Sequence, residues 1–233
     1  MIGIQSAFEK EIELVCDEID HARTKRYGDA DYVVGKIADT EVVAVAGGKG
    51  KVCAASSSQI LIDLFDVKSI VFCGVAGCVN PRVKIGHIVV SRDAVQYDHI
   101  ADIKTAVLGG LSSRFNETRV MADRNLVELA QAACAETVGT SGWLVGTILT
   151  GDRPVITRRQ RIELFRKYAG DCVDMEGAAV GMVCARNRVP FVVVRVISDS
   201  AGFLTPVEFK RNLPATSRKV QEVVLKLVSL LSE

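Results

Sequence analysis

The sequence is poor in the features that assign a protein to a class early. It has 29 Lys plus Arg against 28 Asp plus Glu, a formal net charge of +1. The signs are interspersed, so nothing in the charge suggests binding to nucleic acid or an anionic membrane. No apolar run reaches the length of a membrane-spanning helix. The opening residues, M-I-G-I-Q-S-A-F-E-K-E, lack the basic start and long apolar core of a secretory signal. His21, His87 and His99 make no metal-ligand spacing with the cysteines. Cys16, Cys53, Cys73, Cys78, Cys134, Cys172 and Cys184 are odd in number, without framework spacing, and mostly in apolar segments. Free thiols in a reducing cytoplasm are therefore expected. Residues 47–51, G-G-K-G-K, miss the spacing of a Walker A loop. There is no G-x-S-x-G elbow, no cysteine with an obvious histidine base, and no cofactor fingerprint. Neither metal nor cofactor is expected.

What the sequence has is 48% hydrophobic composition over 233 residues, enough for one domain, residues 1–233, with a sizeable core. Strand and helix signals mix throughout, without linker, repeat or low-complexity segment, which predicts a single α/β domain around a mixed sheet. Residues 2–5 read as a strand. Ser6 then caps a helix to about residue 20, whose stripe of Phe8, Ile12, Val15 and Ile19 carries Glu11 inward. Residues 32–35 and 41–46 form a hairpin, residues 52–66 a helix, and residues 67–73 a strand. That strand runs into Gly74-Val75-Ala76-Gly77, a tight turn that lets backbone approach a small molecule. Strands follow at 85–91, 94–97 and 143–150, with helices from Asp123 to about residue 136 and over 157–168. Residues 100–116 read as a loop or lid. Thr205-Pro206-Val207-Glu208 reads as a capping box opening the last helix.

Residues 173–202 break this pattern. The apolar, β-branched run 191–198 is a strand buried on both faces, yet it contains Arg195 and ends beside Asp199. Period-2 alternation puts Phe191, Val193, Arg195, Ile197 and Asp199 on one side. Buried charge is costly unless paired or used. Glu176, near the start of the helix over 175–187, also begins on an inner face. If Glu11, Gly74 to Gly77, Asp152, Glu176 and Ser198-Asp199 converge past the ends of strands, the pocket holds carboxylates, one arginine and apolar lining. Paired carboxylates of this kind suit glycosidic-type cleavage: one protonates the leaving group and another activates water.

The blocks I-G-I-x-x-A-F-E-K-E, G-V-A-G, T-G-D, V-D-M-E-G-A-A-V and V-P-F-V-V-V-R-V-I-S-D, in this order along essentially the whole chain, resemble the 5′-methylthioadenosine/S-adenosylhomocysteine nucleosidases of the nucleoside phosphorylase/hydrolase superfamily. That resemblance implies a three-layer α/β/α, nucleoside phosphorylase-like fold and hydrolysis of 5′-substituted adenosines to release adenine. Asp199 would be the general acid at adenine N7, with Ser198 orienting its carboxylate. Glu11 would activate water, aided by Arg195. Glu176 would hold the ribose hydroxyls, Met175 would lie against the sugar, and backbone around Val155 would bind the base edge. Phe8, Lys49, Val75, Ala76, Gly77 and Asp174 complete the substrate-binding set. The resemblance also implies a homodimer in which a neighbour's loop, residues 100–107, completes the 5′ pocket.

Cys73 stands where phosphorylases of the superfamily carry a phosphate-binding arginine, so water is the expected nucleophile. Asp199 argues against the relatives that cleave 6-oxopurine nucleosides. Other departures touch substrate packing: Lys49, Arg153-Pro154, Val75, Pro206 and the short loop 200–204. Lys49 and Arg153 either favour an anionic 5′-tail, such as a homocysteine or aminofutalosine carboxylate, or are simply solvated. A phosphate-dependent purine nucleoside phosphorylase, an aminofutalosine-type nucleosidase and a non-catalytic nucleoside-binding protein remain the alternatives.

Overall fold

The apolar, β-branched runs become interior strands of one mixed sheet in a computed structural model that describes residues 1–99 and 118–232. In chain order the elements are β1 (Ile2–Ser6), a 3-10 turn (Glu9–Glu11), α1 (Glu13–Asp17), β2 (Asp20–Tyr27), β3 (Ala30–Ile37), β4 (Thr40–Ala46), α2 (Lys51–Phe65), β5 (Ser69–Cys78) and β6 (Ile88–Gln96). They continue with β7 (Arg119–Met121), α3 (Arg124–Val138), β8 (Trp143–Thr150), α4 (Arg158–Tyr168), β9 (Cys172–Asp174), α5 (Gly177–Asn187), β10 (Phe191–Asp199) and α6 (Thr205–Leu230). Every residue of β10 is buried, as a strand covered on both faces requires.

Alternate residues of the strands feed two cores. Ile2, Ile4, Val71, Cys73, Val192, Val194 and Val196 pack with Ile12 and Val15, Leu126 and Ala130 of α3, and Val220 to Val228 of α6. Ile70, Phe72, Phe191, Val193 and Ile197 pack the opposite way, with Leu61 and Phe65 of α2 and Val180 and Cys184 of α5. Helices on both faces of a mixed sheet make the expected α/β/α layering.

The sheet is not open, however. β10 pairs in parallel with β5 and antiparallel with β6, and the path β6–β8–β9 returns to β5. These five strands close a ring, from which β1, β4, β3 and β2 extend. Bulges between Ser91 and Asp93 in β6 and between Ile197 and Asp199 in β10 supply the curvature. The strand signals at 85–91 and 94–97 are thus one bulged strand.

Several local expectations change. Ser6 ends β1 and donates to the Phe8 carbonyl at 3.0 Å instead of capping a helix. The helix expected to residue 20 stops at Asp17, and β2 follows as a solvent-exposed edge strand. Its sequence, D-H-A-R-T-K-R-Y, has no apolar face, so alternation could not find it; pairing with β3 holds it. The segment Gly74 to Gly77 is not a turn but continues β5. Thr205 is already helical and caps nothing, because its hydroxyl and Glu208 are drawn toward residues 199–202. The loop assigned to residues 100–116 lies outside the described residues, as does its 100–107 portion.

Candidate active site

β1, β5, β8, β9 and β10 bring their ends or middles to one cleft of about 830 Å³, counting its open mouth. Of the residues expected at the site, Phe8, Glu11, Lys49, Val75, Ala76, Gly77, Val155, Asp174, Met175, Glu176, Ser198 and Asp199 line it; Arg195 and Gly74 do not, and neither does Asp152, whose exposed carboxylate is turned to Lys51 instead. Arg153, Pro154, Val173, Thr205, Pro206 and Phe209 complete the wall.

Arg195 lies directly behind that wall, fully buried at 0% exposure. Its β10 position pairs with Gly74 of β5, and its guanidinium stacks 4.4 Å from the centroid of the Phe72 ring. Nε donates to Asp174 Oδ2 at 2.9 Å, and Nη2 lies 2.7 Å from Asp174 Oδ2 and 3.2 Å from Glu176 Oε2. Burial opposes the guanidinium charge, yet Asp174, Glu176 and Glu11 together hold its pKa above the ordinary value. Nη1 has no hydrogen-bond partner among the described residues. The direct ion-pair partners are therefore Asp174 and Glu176, and Glu11 acts on Arg195 through space.

The Asp174 carboxylate is committed. Besides Arg195 it accepts from the Thr150 hydroxyl at 2.6 Å, from Glu176 N–H at 3.3 Å and from Gly177 N–H at 3.1 Å. It anchors the start of α5 and acts on the site by holding Arg195. Glu176, 5% exposed, is the residue before α5; Oε1 accepts from Gly50 N–H at 2.9 Å and Oε2 from Met175 N–H at 3.3 Å. Desolvation raises its pKa, and Arg195 opposes the shift.

Glu11, 1% exposed, is held by main-chain donors: Val75 N–H at 2.7 Å to Oε1, and Ala7 and Phe8 N–H at 3.1 and 3.2 Å to Oε2. Burial pushes its pKa up to about 7, with Arg195 and the Val75 N–H pulling the other way. A Cβ at Gly74 would meet both Arg195 Nη1 and Glu11, with Oε1 at 2.6 Å. A glycine is required there because the two side chains converge over that backbone.

Asp199 and Ser198 both reach the cleft, although strict alternation would oppose them. The bulge after Ile197 shifts the register so that Asp199 sits opposite Gly77, where a Cβ would stand 3.0 Å from Asp199 Oδ1. Asp199 Oδ1 accepts from Ala201 N–H and the Thr205 hydroxyl, both at 2.9 Å, and Oδ2 accepts from the Ser198 hydroxyl at 2.8 Å. Three residues on one stripe of α6 hold this segment: Thr205, Glu208 accepting from Ser200, and Asn212 donating to the Ser198 carbonyl. Sequence reasoning missed that stripe and missed Phe209, which meets Phe8 edge-to-face at 6.4 Å. The i, i+3, i+7 spacing of Thr205, Glu208 and Asn212 was the available signal. Lys49 is exposed, with Nζ 5.8 Å from the Phe8 ring centroid, and Arg153 is exposed in the irregular segment after β8.

A ring-closed mixed sheet whose cleft holds several carboxyl groups, with a buried arginine behind its wall, fits an enzyme of the N-glycosyl hydrolase type. Comparison with known proteins agrees. The Phosphorylase superfamily profile matches residues 1–229. The 5′-methylthioadenosine/S-adenosylhomocysteine nucleosidase of Bacillus subtilis is 30% identical, covering 97% of each chain. The Neisseria meningitidis nucleosidase of the same name, solved with methylthio-immucillin-A, superposes with a TM-score of 0.90 at 26% identity over 98% of both chains. Futalosine hydrolase of Helicobacter pylori gives 0.88 at 25% identity, covering 98% of this chain and 97% of that one. The chain belongs to the phosphorylase superfamily and, within it, to the 5′-methylthioadenosine/S-adenosylhomocysteine nucleosidase family.

Proposed function

We propose that this chain hydrolyses the N-glycosidic bond of 5′-substituted adenosines, 5′-methylthioadenosine and S-adenosylhomocysteine among them, acting as one domain over residues 1–233. The observation that carries the reading is Glu11: a buried carboxyl with a pKa of about 7, facing the same point above Gly74 as the unpaired Arg195 Nη1. A water held between them loses its proton to Glu11 as it attacks C1′. Asp199 gives a proton to adenine N7, so the C1′–N9 bond breaks with its electron pair going to a neutral base. Negative charge from Glu11 and Glu176 favours the oxocarbenium-like transition state between those events. Glu176 accepts from the ribose 2′- and 3′-hydroxyls, and Met175 packs on the sugar. Val155 backbone meets the base edge, and Ser198 orients Asp199.

Lys49 and Arg153 on the cleft wall support a second reading, in which the preferred 5′-tail ends in a carboxylate. The futalosine hydrolase likeness is in keeping with it. We further propose a cytoplasmic homodimer, serving salvage of methionine, in which a neighbour's loop completes the 5′ pocket.

The test is adenine release from methylthioadenosine, S-adenosylhomocysteine, 5′-deoxyadenosine and aminofutalosine, with and without phosphate. Phosphate-independent release is expected, and Asp199→Asn should cut it by about 10²-fold or more. Strict phosphate dependence with a ribose-1-phosphate product would reject hydrolysis. A chain that turns over none of the four would be a binding protein.

A further inference from the structure

We propose that Lys51 is a positioning residue for substrate binding, fixing the ribose-side and base-side segments of the cleft in one arrangement; this rests on the nucleosidase reading above. Lys51 is the first residue of α2, where the helix dipole disfavours a cation. Its presence there asks for another cause. Nζ lies 2.7 Å from Asp98 Oδ1 and 3.1 Å from Asp152 Oδ2, and the Lys51 side chain is only 15% exposed. Asp98 uses its other oxygen, Oδ2, to accept from the backbone N–H of Asp152 at 2.7 Å.

Each member adjoins something the cleft uses. Gly50, next to Lys51, donates its N–H to Glu176 Oε1. Gly48 and Gly50 have φ of +92° and +90°, and Gly50 starts α2 without a side-chain cap. A loop with two such glycines is intrinsically loose, so its grip on Glu176 needs an external anchor. Asp152 precedes Arg153, Pro154 and Val155, cleft residues outside any helix or strand. Tyr97, next to Asp98, donates its hydroxyl to the Arg153 carbonyl at 3.2 Å, so residues 97–98 hold both ends of the 152–153 step. An exposed ion pair contributes little by itself. Here the Asp98 carboxylate grips the Asp152 backbone, and one ammonium joins two irregular segments that adjoin different parts of the same cleft.

Lys51→Met removes the charge and keeps the stem. KM is expected to rise about 10-fold with kcat changed less than about 3-fold, because ground-state positioning is lost while Asp199 and Glu11 stay in place. Lys51→Arg, which reaches both carboxylates, should restore KM. Hydrogen exchange on the ligand-free protein should be about 10-fold faster at the Gly50 and Asp152 amides in Lys51→Met. Asp98→Asn, nearly isosteric, should reproduce the same split if Lys51→Met does not fold. An unchanged KM, a loss confined to kcat, or exchange equal to wild type at both amides would overturn the proposal. A wild type inactive on every nucleoside would instead reject the nucleosidase reading, and exchange would still decide the role of Lys51 in ordering the two segments.

Discussion

Glu11→Gln should separate the cost of the buried carboxyl from its use. The folded protein holds the Glu11 proton with a pKa of about 7, against 4.5 for an ordinary glutamate. That gap corresponds to about 3 kcal/mol between the two protonation states. Because the folded-state pKa is the higher one, this stability is present in full below about pH 4.5 and is lost as pH rises toward 7. Glutamine does not titrate. At a single pH the variant also carries a penalty of about 1–3 kcal/mol, since its amide cannot accept from both Val75 N–H and the Ala7 and Phe8 N–H pair. The pH dependence is therefore the informative quantity. Between pH 5 and 8 wild type should lose about 2–3 kcal/mol relative to Glu11→Gln, moving their Tm difference by about 5–10 °C for a chain of this size. Thermal melts of both proteins in matched buffers at several pH values measure it. In parallel, wild-type kcat/KM should fall below pH 7 as Glu11 gains its proton, while the variant releases adenine about 10²- to 10⁴-fold more slowly. A Tm difference constant across that range, or one moving the other way, would refute the electrostatic account. Near-normal turnover in the variant would refute the catalytic one.

Two further substitutions probe the packing around the charges. Gly74→Ala places a methyl group against the buried Arg195 Nη1 and Glu11 carboxyl and should cost about 1–3 kcal/mol by denaturant unfolding together with most of the activity; wild-type stability would show that the Arg195 cluster can yield. Thr205→Val keeps the shape but withdraws one donor from Asp199 Oδ1, and kcat should drop about 10-fold while Thr205→Ser retains wild-type turnover; equal kcat in all three proteins would remove Thr205 from the mechanism.

Much of this site can be read along the chain because its chemistry conflicts with local pattern. Arg195 and Asp199 stand in a run of apolar, β-branched residues, and Glu11 shares a stripe with Val15. Those conflicts are visible without any knowledge of neighbours, since a buried charge violates periodicity wherever its partner lies. The resemblance then assigned roles to positions, and the fold carries nearly all of them to one cleft.

What stayed hidden depends on contacts between distant residues. The exposed strand β2 has no apolar face to betray it and exists through its pairing with β3. The role of Thr205 was masked by a plausible capping box, because the hydroxyl that would cap the helix donates to Asp199 instead and the helix begins without a side-chain cap. Phe209 looked like any helical aromatic until Phe8 was brought against it.

The sequence by itself determined the α/β class, the buried strand of residues 191–198 and the charges, Arg195 and Asp199, that interrupt its apolar pattern. All of these follow from side-chain type and short-range period. Tertiary structure alone decided that Arg195 pairs with Asp174 and Glu176, that Ser198 and Asp199 share one cleft, and that the sheet closes. The reason is register: pairing β10 with β5 sets Arg195 opposite Gly74, and one bulged residue turns Asp199 to Gly77. No periodicity within either strand encodes how it aligns with the other.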